Sequence, residues 1–179
     1  MKAAILFLIL ATGVSGIAAQ TNFLITSRSV GGVKLGMTIS QARKVLSGCS
    51  FKRSSDGDGA VLISAVCGGK ELMTFASQED EETTINERAK IAFIEVWDSR
   101  FKTPDGIHKN MLVSEVEKSL GRVTKIILSE IESREFITFK KKRPGIMYRM
   151  YGGIYPPGKN TTARYERGTR LWSISVSSY

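Results

Sequence analysis

Cysteine and histidine are scarce in this chain. Two cysteines, Cys49 and Cys67, and a single histidine, His108, occur among 179 residues. With no Cys-x-x-Cys pair and one distant histidine, a zinc or redox site lacks ligands. A nucleophilic triad needs a base beside a serine or cysteine, oriented by a third group. No Gly-x-Ser-x-Gly elbow accompanies His108, so a surface turn position is the expected role, and no catalytic residue, metal site or cofactor is expected. Asp56-Gly57-Asp58-Gly59 starts like a calcium loop, but the twelfth position, where such a loop needs Glu, is Cys67. A hairpin turn is expected there instead. Carboxylates such as Glu95 and Asp98 have nothing in the sequence that pairs them as an acid and a base. Beyond the N-terminus no apolar run approaches the ~20 residues of a membrane span.

Acidic residues are also thin in the second half. From Val123 to Tyr179 eleven Lys and Arg stand against four Asp and Glu, while Gln20 to Arg122 nearly balances. Most of the +9 net charge therefore sits in the second half, a positive field suited to acidic partners or anionic surfaces. Glu79, Asp80, Glu81, Glu82 and Glu87 form a polar insertion expected to be a solvated loop.

What is present begins with an address. Met1-Lys2, the apolar run Ala3 to Leu10, and small residues up to Ala18-Ala19-Gln20 describe a secretory signal peptide over 1–19. An uncleaved anchor is the competing reading, opposed by Thr12, Gly13, Ser15 and Gly16 inside the run. The expected location is periplasmic or extracellular. No cysteine near the cleavage region offers a lipid attachment point. In an oxidising compartment Cys49 and Cys67 are expected to form a disulfide tying two neighbouring strands.

A motif then appears twice. Gly32 to Leu46 aligns without a gap against Gly106 to Leu120, with Gly, Met, Ser, Lys and Leu identical. The apolar triplets Ile39/Ala42/Leu46 and Val113/Val116/Leu120 fall on matching positions, each a helical stripe. Thr38 and Gln41 form a capping box in the first copy. In the second, Leu112 replaces the Thr and Asn110 replaces Gly36, so Asn110 is an alternative cap. Both helices span roughly nine residues and need packing partners to be stable. Strand-like stretches follow each: Val61 to Cys67, Glu71 to Ala76 and Ile91 to Trp97, then Val123 to Leu128, Arg134 to Phe139, Ile146 to Met150 and Leu171 to Val176. In the last, Trp172, Ile174 and Val176 alternate with serines, predicting one buried and one wet face. Tyr155 to Arg164 reads as a long loop. The fold class expected is α+β, two duplicated units over 20–99 and 100–179, each a short helix packed on an antiparallel meander.

The Gly-x-x-x-Gly-Met-Thr pattern leading into a helix and a meander, duplicated in an exported chain, resembles the beta-lactamase inhibitor protein fold. It is also similar to the small domain of outer-membrane assembly lipoproteins, and to exported bacterial proteins of unknown function with two such units. The resemblance implies a sheet that presents a binding face, and supplies no binding residue.

The most suggestive stretch for binding is Lys140, Lys141, Lys142 and Arg143 with Tyr148, Arg149, Tyr151 and Tyr155. Tyr and Arg are favoured interface anchors, and basic residues among aromatics also suit phosphates. The plainer reading is a charged hairpin turn before Pro144-Gly145 with tyrosines split between core and surface. The sequence thus leads to an exported, non-enzymatic, inhibitor-like protein recognising an extracytoplasmic protein. The alternative is an electrostatic binder of an anionic envelope polymer or membrane surface; specific nucleic-acid binding is not expected.

Overall fold

A computed structural model describes residues 22–55, 61–77, 84–129 and 133–178. The expected signal peptide, the Asp56-Gly57-Asp58-Gly59 turn and the acidic residues Glu79 to Glu82 lie outside the described residues.

Three short strands, β1 (Ile25–Thr26), β2 (Ser29–Val30) and β3 (Val33–Lys34), form a small antiparallel sheet of their own. The chain then runs through α1 (Ile39–Val45), β4 (Ser50–Ser55), β5 (Val61–Cys67), β6 (Lys70–Ser77) and β7 (Ile91–Val96). It continues into α2 (Val113–Leu120), β8 (Val123–Ser129), β9 (Arg134–Phe139), β10 (Ile146–Met150), β11 (Thr161–Thr162) and β12 (Leu171–Ser177). The nine strands β4 to β12 make one sheet in the order β11-β8-β9-β10-β12-β7-β6-β5-β4. The two halves of the chain therefore share a single sheet and abut where β7 pairs with β12, Val96 opposite Ile174. The protein is mainly β-sheet with two short helices, and the α+β expectation holds only in that coarser sense.

One register row explains how the sheet is covered. Phe51, Ala65, Met73, Val96, Ile174, Tyr148, Ile137 and Ile126 lie side by side across eight strands, and all are buried. Residues in register share a face, so this is a continuous apolar stripe. The helical stripes Ile39/Ala42/Leu46 and Val113/Val116/Leu120 join the same core cluster, and the Arg43 guanidinium sits 4.5 Å over the Phe51 ring. Both helices thus cover this face. Burying two such stripes is what makes helices of seven and eight residues persist.

The helix entries match the sequence only in part. At α1, Thr38 Oγ1 accepts from the Gln41 N–H at 3.2 Å and Gln41 Oε1 accepts from the Thr38 N–H at 2.9 Å, the expected reciprocal cap. At α2 the cap position is Leu112, and Glu115 Oε2 accepts from its N–H at 3.2 Å. Asn110 does not cap. It occupies the left-handed region at φ 70°, where Gly36 has φ 83° in the first motif. Asparagine tolerates that region better than other side chains, which is why it can stand in for glycine in the turn.

The strand expectations need three corrections. The two-residue strands β1 to β3 and β11 carry no run long enough to show as periodicity. Part of the expected Tyr155–Arg164 loop is β11, which extends the sheet beyond β8. On β12 the expected wet face is absent: Ser173, Ser175 and Ser177 are buried, while Trp172 is exposed. The reason is that β12 lies at the centre of the sheet, and a bulge breaks its alternation.

Of the four bulges among the described strands, those between β5 and β6 and between β8 and β9 have no counterpart in the other half, and two lie at corresponding strand pairs. Between β6 and β7 the register passes from Ala76–Phe93 to Ser77–Ile91, leaving Ala92 unpaired. Between β10 and β12 it passes from Arg149–Ser173 to Met150–Leu171, leaving Trp172 unpaired. Each helix entry also bridges to the residue just before the last strand of its half, Thr38 to Lys90 and Leu112 to Arg170. Cys49 and Cys67 form a disulfide with Cα atoms 4.3 Å apart, clamping β4 to the end of β5. Among the described residues no helix is long and apolar enough to cross a membrane. That and the disulfide are compatible with an exported protein.

Candidate functional site

The face of the sheet away from the helices carries the unexpected chemistry. Along β7, β10 and β12 the core takes Ile94, Val96, Tyr148, Met150, Ile174 and Val176. The alternate positions, Glu95, Trp97, Met147, Arg149, Ser173 and Ser175, face the other way. At the centre of this second face an Arg149 N–H donates to Glu95 Oε1 at 2.6 Å, with the two side chains only 9% and 5% exposed. Ser173 Oγ donates to the same carboxylate oxygen at 2.5 Å. The second Arg149 amino group donates to the Tyr151 hydroxyl at 3.1 Å. A low-dielectric setting makes such a pair rigid and intolerant of losing one member.

Around this buried pair stands an aromatic rim. A bulge residue bends its strand and re-aims its side chain, and here the bulge residue is Trp172, 47% exposed. Its ring meets Tyr151 edge to face, centroids 5.4 Å apart. Lys109 Nζ lies 5.7 Å from the Trp172 centroid and 5.5 Å from that of Trp97, within cation–π range of both. Trp97 Nε1 donates to Thr74 Oγ1. The Lys109 turn is held to β12 by backbone bonds Asn110 N–H to Leu171 O and Leu171 N–H to Met111 O, each 2.9 Å. Arg170 adds a bond to the Asn110 carbonyl at 2.7 Å. The result is a platform of two tryptophans and a tyrosine with one cation between them, on rigid supports.

The residues singled out from the sequence scatter. Tyr148 is buried in the core against Phe139, ring centroids 5.7 Å apart, and burial pushes its phenol up to about 12. Arg149 is held by Glu95 inside the sheet, and Tyr155 is half-buried beside Glu135, with its phenol also pushed up to about 12, by desolvation first and then by that carboxylate. Only Tyr151 of the aromatic set reaches the surface platform. Lys140, Lys141, Lys142 and Arg143 are all exposed on the β9–β10 hairpin. They are not equivalent: Lys141 Nζ donates to the Ser119 carbonyl at 3.0 Å, and Arg143 forks onto Asp105, one bond at 2.7 Å. That carboxylate raises the Arg143 pKa further. His108 Nδ1 donates to the Lys109 carbonyl at 2.8 Å.

Beside the hairpin, on the face away from the helices, lies an apolar groove of about 590 Å³ whose lining includes Ile127, Phe136, Thr138 and Met147. Trp97, Trp172, Lys109 and this groove were not singled out from the sequence. The available signal was a tryptophan among serines on a strand of otherwise clean alternation.

No family model and no curated protein sequence matches the chain. Its fold is similar to the crystal structure of the uncharacterized protein yfeY from Escherichia coli, with a TM-score of 0.57 and 16% identity, covering 86% of this chain and 98% of that one. At that identity the likeness concerns the fold alone.

Proposed function

We propose that this is an exported, non-enzymatic binding protein that presents the helix-free face of its sheet to an extracytoplasmic protein partner, in an inhibitor-like manner. The observation that carries the reading is the contrast between the two bulges at corresponding strand pairs, β6–β7 and β10–β12. We take the two halves, 20–99 and 100–179, as two copies of one unit, supported by the repeated motif, the matching helix-entry bridges and the matching bulges at Ala92 and Trp172. The bulge is then a property of the unit, and the tryptophan is an addition to one copy. A nearly half-exposed tryptophan beside Tyr151 and Lys109 adds little to folding. Trp, Tyr and basic residues over a rigid support are the make-up of a binding hot spot.

The test is a quantitative pull-down from envelope extract with the 20–179 chain and its Trp172→Ala variant, at low and high salt. The expected outcome is one protein retained at high salt by the parent chain. The variant binds it more weakly by roughly 30-fold, the loss of about 2 kcal/mol typical of a hot spot. Equal retention by both chains would sink the assignment of the face. Recovery of anionic polymer only, all lost with salt, would transfer function to the basic hairpin.

A further inference from the structure

The geometry points to a second site: the groove beneath the β9–β10 hairpin binds a single-chain anionic amphiphile, its acyl chain on the sheet face and its head group at the hairpin lysines. The groove floor is apolar, built from Ile127, Phe136 and Met147 on three adjacent strands, and no carboxylate lines it. Its volume, about 590 Å³, lies within the ~300–1,000 Å³ typical of small-molecule pockets. Met147 is 37% exposed, an uncovered apolar side chain on an interior strand. The cations are placed asymmetrically. Lys142, at the hairpin end, is exposed and has no partner among the described residues. Lys125, in register with Thr138 of the floor, is likewise exposed and unpaired among them. An apolar trough with free cations at one end is complementary to a ligand that is apolar along its length and anionic at one end.

Two physical arguments select this occupant. The groove lies on the face of β8, β9 and β10, whose backbone groups point along the sheet towards neighbouring strands and not out of its face. A peptide laid there would bury its own amides without partners, a cost a hydrocarbon chain does not carry. A bilayer surface needs several mobile cations acting together in one plane, but Lys141 is tied to the Ser119 carbonyl and Arg143 is paired with Asp105, so the hairpin is fixed to the body and one of its four charges is cancelled. One amphiphile taken from solution fits; a membrane plane does not.

The experiment is isothermal titration calorimetry of the 20–179 chain with dodecyl phosphate below its micelle concentration. Inorganic phosphate, decyl phosphate, dodecyltrimethylammonium and phosphatidylglycerol vesicles are run alongside. One molecule of dodecyl phosphate binds per chain with Kd on the order of 1–100 µM. Decyl phosphate binds about 5- to 15-fold more weakly, as expected for two buried methylenes. The phosphate and cation arms are at least roughly tenfold weaker than dodecyl phosphate. Lys142→Glu weakens binding about tenfold, and Met147→Glu, at an exposed side chain where folding is tolerant, weakens it about 100-fold. Circular dichroism melts of both variants check that they fold. Equal affinity for the cationic and anionic chains, or unchanged affinity in folded Met147→Glu, overturns the proposal. Vesicle binding without dodecyl phosphate binding also overturns it, in favour of a membrane surface.

Discussion

Replacing Glu95 by alanine leaves the Arg149 guanidinium charged inside the sheet with its main partner gone. The two groups are 2.6 Å apart and nearly fully buried, so at an effective dielectric of ~20 their attraction is about 6 kcal/mol. Desolvating both ions offsets most of that, so the intact pair contributes little net stability. Removing one ion exposes the uncompensated cost of the other, about 3–5 kcal/mol, and Ser173 loses its acceptor as well. Against a domain stability of about 5–15 kcal/mol this is severe. Urea unfolding followed by circular dichroism should show a midpoint drop matching that loss, with an unchanged slope. The double variant Glu95→Leu with Arg149→Met, which removes both charges, should return to within roughly 1.5 kcal/mol of the parent. It should still lose partner affinity, because Tyr151 no longer has the Arg149 donor. A loss below about 1 kcal/mol in Glu95→Ala would mean that Arg149 reaches water on its own, and the picture of a sealed ion pair beneath the platform would fail.

Three further outcomes are expected. Replacing Cys49 and Cys67 by serine should destabilise by about 3 kcal/mol in the chain-entropy model for a sequence separation of 18, measured against the reduced parent as a second control; no difference in denaturant midpoint would contradict it. Tyr148 keeps its proton up to about 12 in the fold against an ordinary 10.0, so its contribution is complete below pH ~10 and lost as the pH rises towards 12, on the order of 2–3 kcal/mol. Tyr148→Phe should remove that share of the alkaline fall in urea midpoint, and an identical pH profile would refute the assignment. Gly36 has φ 83° with nothing within 4 Å of an added Cβ, so Gly36→Ala should cost about 1–2 kcal/mol from backbone strain alone. Gly36→Asn should cost much less, since Asn110 already holds the matching turn; equal melting losses for Ala and Asn would refute this.

Local chemistry was legible in the chain before any folding. The Thr38–Gln41 capping box, the two apolar helical stripes, the strand stretches and the Cys49–Cys67 pairing depend on residues near one another in sequence, or on the single pairing that two cysteines allow. Period and composition therefore report them. The merging of nine strands into one sheet depended on β7 meeting β12, a contact between residues roughly 80 positions apart that no periodicity encodes. The site depended on it further. Glu95 and Arg149 are 54 residues apart, and they become a buried pair only because β12 lies between their strands. Trp172 reads as a core residue by alternation, and only an unpaired register position turns it outward. Lys140 to Arg143 read as one basic patch, yet Ser119 and Asp105, distant in the chain, engage two of its four charges. Sequence alone determined the two helices, the longer strands and the excess of positive charge. Tertiary structure decided which side chains those elements expose, because exposure is set by neighbours from other strands and not by the residue's own pattern.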